Sequence, residues 1–234
     1  MRVALVRRIA VVGSGWWRYL LHMSDSSNLV LHYHPFSRAA NVVWMLQELG
    51  RPYELRFVDL MAGAQRTPEF RKLNPMGKLP TLVDGDTVVT ESAAIGLYLA
   101  DRYGYGTLCP KVDDPARASY LRWSCFAPSV IEPGAYAKGA NWEYRAAQAG
   151  WGEYENILNT IEYAIGQGPW LLGERFSMAD VIFGGTVRYM LQFKMIEARP
   201  AFTAYAERLA QRPAAKAAAT KNAAAIEEHG LDKR

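Results

Sequence analysis

The chain has 234 residues, 50% of them hydrophobic and 21% charged, with a formal net charge of +4. That is ordinary globular composition for one or two domains with a sizeable core. The mild positive balance suits an anionic small molecule, whereas the absence of a Lys/Arg run interleaved with aromatics excludes a nucleic-acid footprint. No apolar run approaches the ~20 residues that span a bilayer, so no membrane partner is expected.

In chain order, residues 1–27 fit nothing that follows. Arg2, Arg7 and Arg8 precede a short apolar run that Gly13-Ser14-Gly15 ends, too short for a signal peptide. Trp17 and Arg18 deny the same glycines a dinucleotide-binding reading. The segment reads as an upstream extension, poorly ordered or a start-site artefact. Residues 29–33 are a first strand and His34-Pro35-Phe36-Ser37 a turn. Val42, Val43, Met45, Leu46 and Leu49 then recur at helical spacing and Gly50 closes the helix. A second strand is expected over 53–60 and a short helix over 67–73.

Asn74-Pro75-Met76-Gly77 is a turn, because Pro fixes φ and Gly permits positive φ. Strands over 79–83 and 87–89 flank the tight reversal Asp84-Gly85-Asp86. Thr90-Glu91-Ser92 opens a helix over 91–103. Pro80 cannot donate to a ladder, so it needs an edge or entry position. A cis bond before Pro80 would leave the N–H and C=O of Leu79 free for a peptide-like ligand. The helix start that follows offers N–H groups to an anion. This order, βαβ–α–ββα, is an α+β thioredoxin-like arrangement over residues 28–106, followed by a linker at 107–114.

Residues 115–234 show no strand pattern and read as an all-helical bundle. Expected helices cover 116–127, bent or broken by Pro128 and Pro133, then 142–165 with a weak spot at Gly150-Trp151-Gly152, 181–193, 200–212 and 214–228. Ser177 and Asp180 form a capping box and carry no catalytic role. Tyr120, Trp123, Phe126, Tyr136 and Trp142 are expected in the core, some of them lining an apolar pocket. Cys125 is expected to pack. Neither it nor Cys109 belongs to a CxxC or metal pattern, so a reducing cytoplasm is the simplest compartment. The histidines lack metal-ligand spacing; His34 lies next to Ser37 and is placed to touch a ligand.

The run NPMGKLPTLVDGDTVVTESAAIGLYLADRYG resembles the glutathione-binding half of the cytosolic glutathione transferases, whose pattern is N-P-x-G-x-(V/I/L)-P-x-L, a hairpin, then E-S-x-A-I-x-x-Y-L. The resemblance extends from Asn28 to the last helices and implies a glutathione S-transferase with glutathione as co-substrate. It also implies a small electrophilic or hydrophobic second substrate, and a homodimer. Ser37 then resembles the activating serine of serine-type bacterial members, a hydroxyl donor that stabilises the glutathione thiolate. Asn41 departs from the arginine that many of those relatives keep. Tyr33 is the rival, since other classes use a tyrosine at the end of this strand; Arg38 is a third candidate. Lys78 neutralises the glycine-end carboxylate, Leu79 and Pro80 present backbone, and Glu91 and Ser92 hold the γ-glutamyl end. No Cys lies between Asn28 and Ser92, which argues against an enzyme thiol nucleophile. The same scaffold also suits glutathione-dependent peroxidase, isomerase or ether-cleaving chemistry, or a non-catalytic glutathione-binding or scaffold role.

Overall fold

A computed structural model describes residues 29–233. The expectation for residues 1–27 lies outside the described residues. Strand β1 (Leu29–Tyr33) is buried at every position, as a central strand covered on both faces should be. It pairs in parallel with β2 (Tyr53–Phe57) through the crossover helix α1 (Ala39–Leu49) and antiparallel with β3 (Thr81–Asp84). β4 (Thr87–Thr90) closes the hairpin, so the sheet order is β2-β1-β3-β4. β2 alternates between half-buried and exposed residues, as an edge strand does, and stops at Phe57 rather than at Leu60. Pro80 precedes β3 at its entry, and the Leu79–Pro80 peptide is cis.

α1 packs on α3 (Ser92–Tyr103), and α2 (Pro68–Leu73) lies at the sheet, where Phe70 meets the His32 ring edge-on at 5.6 Å. The connection 104–115 is pinned at three points. Met178 N donates to Leu108 O at 2.7 Å, Arg175 pairs with Asp114 at 2.7 Å, and Arg117 donates to Pro110 O at 2.9 Å.

The helical half narrows the sequence reading in one place and departs from it in another. Of the two outcomes expected at Pro128 and Pro133, a bend or a break, the break does not occur in the helix that starts as α4 (Ala116–Phe126). A π-turn over Ala127–Ile131 carries it into α5 (Glu132–Gly139). The wider i→i+5 turn, in which Glu132 N donates to Ala127 O, accommodates a residue with no N–H. Conversely, the helix expected over 142–165 forms only as α6 (Tyr154–Ile165). Gly152 takes φ 68°, and residues 142–150 are mostly exposed, so no buried face drives helix formation there.

α7 (Met178–Gln192) begins with the expected capping box. The Asp180 carboxylate accepts from Leu171 N, Ser177 N and the Tyr205 hydroxyl, each at 2.9 Å. α8 (Pro200–Ala210) and α9 (Pro213–Glu228) complete the bundle. One hydrophobic cluster runs through both halves, from Leu31 and Met45 to Phe183 and Phe202. Tyr120 and Trp123 join it, but Tyr136 and Trp142 are 40% and 58% exposed, and Cys125 faces solvent instead of packing.

Candidate functional site

The turn between β1 and α1 is built by Ser37. Its hydroxyl donates to His34 O at 2.8 Å and accepts from Ala39 N at 3.1 Å. It therefore satisfies the amide of the first residue of α1, from one position outside the N-cap residue Arg38. Arg38 follows and reaches across to the helical half. Its Nε lies 3.1 Å from Glu132 Oε1 and its guanidinium 2.6 Å from Glu132 Oε2, a two-pronged pair. Its guanidinium carbon also lies 5.5 Å from the Tyr189 ring centre and 5.9 Å from that of Tyr136. Burial opposes the charge on Arg38, and Glu132 more than restores it.

Two clefts meet at this point, and Ser37, Arg38 and Tyr189 line both. The smaller, of ≈ 420 Å³, is cationic: Arg66, Arg71 and Lys78 line it together with Gln65 and Leu79. The Gln65 side chain is buried, and its Oε1 has no hydrogen-bond partner among the described residues. Leu79 lies outside the strand ladder and makes no turn or loop hydrogen bond of its own among the described residues. The turn beneath it is fixed by Asn74, whose side-chain amide donates to Lys78 O at 2.8 Å. The larger cleft, of ≈ 630 Å³, runs between α1, α7, α8 and α9, and Ser92 and Ala93 border it at the start of α3. Glu91, just before Ser92, takes φ 65° and ψ 123° with its side chain exposed.

The other expected residues separate from this centre. Tyr33 is buried, its hydroxyl donates to Asn222 Oδ1 at 2.8 Å, and burial pushes its pKa up. It lines neither cleft. His34 is also buried, its Nδ1 accepting from Phe36 N at 3.1 Å, so it is not on the cleft surface as expected. Asn41, the departure from the arginine pattern, donates to Val181 O at 3.1 Å and sits against Gly185 of α7. Cys109 is buried, and burial and the neighbouring Asp101 push its thiol up, away from nucleophile chemistry. No cluster of metal-ligating side chains occurs among the described residues.

Sequence reasoning missed Gln65, Arg66, Arg71, Glu132 and Tyr189. The basic cluster Arg66, Arg71, Lys72 and Lys78 around the Asn74 turn was a usable signal. Glu132 and Tyr189 had none, because only the packing of the helical half brings them to Arg38.

Comparison with known proteins agrees with this layout. Residues 28–101 match the model for the glutathione S-transferase N-terminal domain, and residues 144–208 the model for its C-terminal domain. Glutathione S-transferase F14 of Arabidopsis thaliana is 32% identical over 193 residues, which is 74% of this chain and 75% of that protein. A glutathione transferase structure from Methylococcus capsulatus superposes with a TM-score of 0.69 at 30% identity, covering 83% of this chain and 98% of the other. A transferase homologue from Sulfitobacter, solved with bound glutathione, gives 0.66 at 26% identity, covering 83% and 98%. With both halves matched and the cationic cleft at their junction, the chain belongs to the glutathione S-transferase family.

Proposed function

We propose that the chain binds glutathione with its glycine end in the cationic cleft and its γ-glutamyl end at the start of α3, on the border of the larger cleft, and transfers it to an electrophilic small molecule held in the larger one. The observation that carries this is the sharing of Ser37, Arg38 and Tyr189 by a cationic cleft and a larger second cleft. Glutathione bears two carboxylates and one ammonium. Arg66, Arg71 and Lys78 answer the glycine-end carboxylate, and the unladdered backbone of Leu79 pairs with the cysteinyl peptide. Ser92, with the N–H groups that open α3, takes the γ-glutamyl carboxylate, and Glu91 the ammonium.

Ser37 is the activating group, which makes this a serine-type member. Its hydroxyl proton swings from His34 O to the sulfur, and the start of α1 with the Arg38 charge adds to the stabilisation of the thiolate. A depression of ~1–2 pKa units corresponds to ~1.4–2.7 kcal/mol. The thiol proton leaves to solvent, a sulfur–carbon bond forms, and the bond to the leaving group breaks. The enzyme forms no covalent bond; it adjusts a pKa and positions two reactants. Tyr33 serves the fold through Asn222. A two-fold homodimer in a reducing, cytoplasmic compartment is part of the same proposal, as is the domain division 28–106, 107–114 and 115–234.

Titration calorimetry with glutathione, followed by turnover on a panel of electrophiles and hydroperoxides, tests it. Glutathione binding with conjugate formation is the expected result. Turnover of hydroperoxides alone assigns a peroxidase, and binding without any turnover a non-catalytic binder.

A further inference from the structure

The larger cleft contains a cation that the chemistry above leaves unused. Arg188 of α7 lines it, partly buried, with its guanidinium carbon 5.5 Å from the centre of the Trp44 ring. Among the described residues it makes no ion pair and no hydrogen bond. The acids around it are engaged elsewhere or exposed. Glu48 accepts from Trp44 Nε1 at 2.8 Å and binds Arg212 through both oxygens at 2.7 Å. Glu132 is held by Arg38. Glu207 lines the cleft from α8 with its side chain exposed and forms no pair with Arg188. Burial accordingly lowers the pKa of Arg188, with no anion to offset it. A charge withdrawn from water normally comes with a counter-ion, and beyond the Trp44 ring the described residues supply Arg188 with none.

The same cleft is lined by small apolar side chains, Ala206 and Ala210 from α8 and Ala215, Ala218 and Ala219 from α9, with Thr203 and Asn222 among them. Ser37, just ahead of α1, and Asn41 and Trp44 on α1 line the cleft in sequence. Seven residues at helical rise separate Ser37 from Trp44 by about 10 Å. A ligand whose charged end meets Arg188 can thus lay an apolar body along the alanine wall and bring its far end to Ser37.

We propose that the larger cleft binds an apolar organic acid, an aryl or alkyl carboxylate, with its anionic group on Arg188 and its apolar body directed toward Ser37. The role of this acid as second substrate rests on the transferase reading; its binding does not.

Calorimetry on the full chain with phenylbutyrate and its uncharged amide separates the two. The wild type binds phenylbutyrate at least about tenfold more tightly than the amide, the range expected of a charge-assisted hydrogen bond. Arg188→Gln erases that gap and leaves the amide's affinity in place, whereas Arg188→Lys keeps part of it. Ala206→Leu, which narrows the cleft without touching charge, weakens both probes alike. Equal affinity for acid and amide in the wild type overturns the proposal, as does a gap that survives Arg188→Gln. Because the wild-type comparison needs no variant, a misfolded Arg188→Gln does not block the test. Glutathione titrated separately keeps the readings apart: failure to bind it removes the transferase reading alone, and a missing acid–amide gap removes this pocket alone.

Discussion

Glu91 holds φ 65° without being glycine, asparagine or aspartate, a conformation that costs about 1–3 kcal/mol. It stands where the hairpin hands over to α3 and where the γ-glutamyl end of glutathione is proposed to bind. Glu91→Gly should leave the melting temperature unchanged or raised, because glycine tolerates positive φ. Glutathione affinity should fall at the same time, by about tenfold for a lost charged contact. A variant that melts normally and binds glutathione like the wild type would remove Glu91 from the site. His32 supplies a second residue-scale expectation. Burial first, and Arg56 second, lower its pKa from 6.5, with Glu54 partly opposing. The unfolded chain then takes up a proton that the folded chain resists. This contribution to stability is complete above pH 6.5 and is lost as pH falls from 6.5 toward the folded-state value. Denaturant melts across this window should show a decline that His32→Gln flattens.

At the scale of elements, the contact between α1 and α7 sets the relation of the two halves. Gly185 lets Asn41 approach: a Cβ built there would lie 2.2 Å from Asn41 Oδ1 and 2.4 Å from Nδ2. Gly185→Ala should therefore destabilise by about 1–3 kcal/mol despite alanine's better helix propensity. Adding Asn41→Ala should recover much of that, since the obstructing atoms belong to a side chain. Thermal melts of the two single variants and the double decide it; purely additive losses would mean the clash is not the cause. The same contact marks what the sequence could and could not convey. α1, the hairpin and α3 were readable because local signals agreed with burial: helical apolar spacing, Asp84-Gly85-Asp86, and the Ser177–Asp180 box at α7. At Pro128 and at Gly150-Trp151-Gly152 the sequence marked a weak point but not its outcome, a π-turn in one case and a lost helix over 142–153 in the other. There the outcome depends on how a backbone defect packs, and on whether a face finds a core to bury. Asn41 looked like a missing arginine and is instead an inter-helix bridge to Val181 O.

On the scale of the whole molecule, the candidate site is a junction, and junctions are the part least visible in one dimension. Ser37, Leu79 and Ser92 are candidates readable from the sequence because they lie in recognisable turns. Glu132 and Tyr189 come from helices about a hundred residues or more further on, and nothing in their own neighbourhood announces Arg38 as the partner. Among the described residues no helix is long and apolar enough to cross a membrane. Val88 on β4 and Leu121 on α4 are large apolar side chains left 41% and 40% exposed on the single chain. With the apolar content of α3 and α4 they support the proposed two-fold dimer, an isologous pairing. Light scattering after size exclusion should give twice the chain mass, and a monomer mass at micromolar concentration would refute it.

The proposed chemistry depends on one quantity, the pKa of the glutathione thiol while bound. Thiolate ultraviolet absorbance of the complex, titrated against pH, measures it directly in the wild type, Ser37→Ala and Tyr33→Phe. The bound thiol should titrate below the ~8.5 of a free thiol in the wild type and in Tyr33→Phe, and about one unit or more higher in Ser37→Ala. A wild-type value no lower than that of free glutathione, or a depression that survives Ser37→Ala and disappears in Tyr33→Phe, would contradict it.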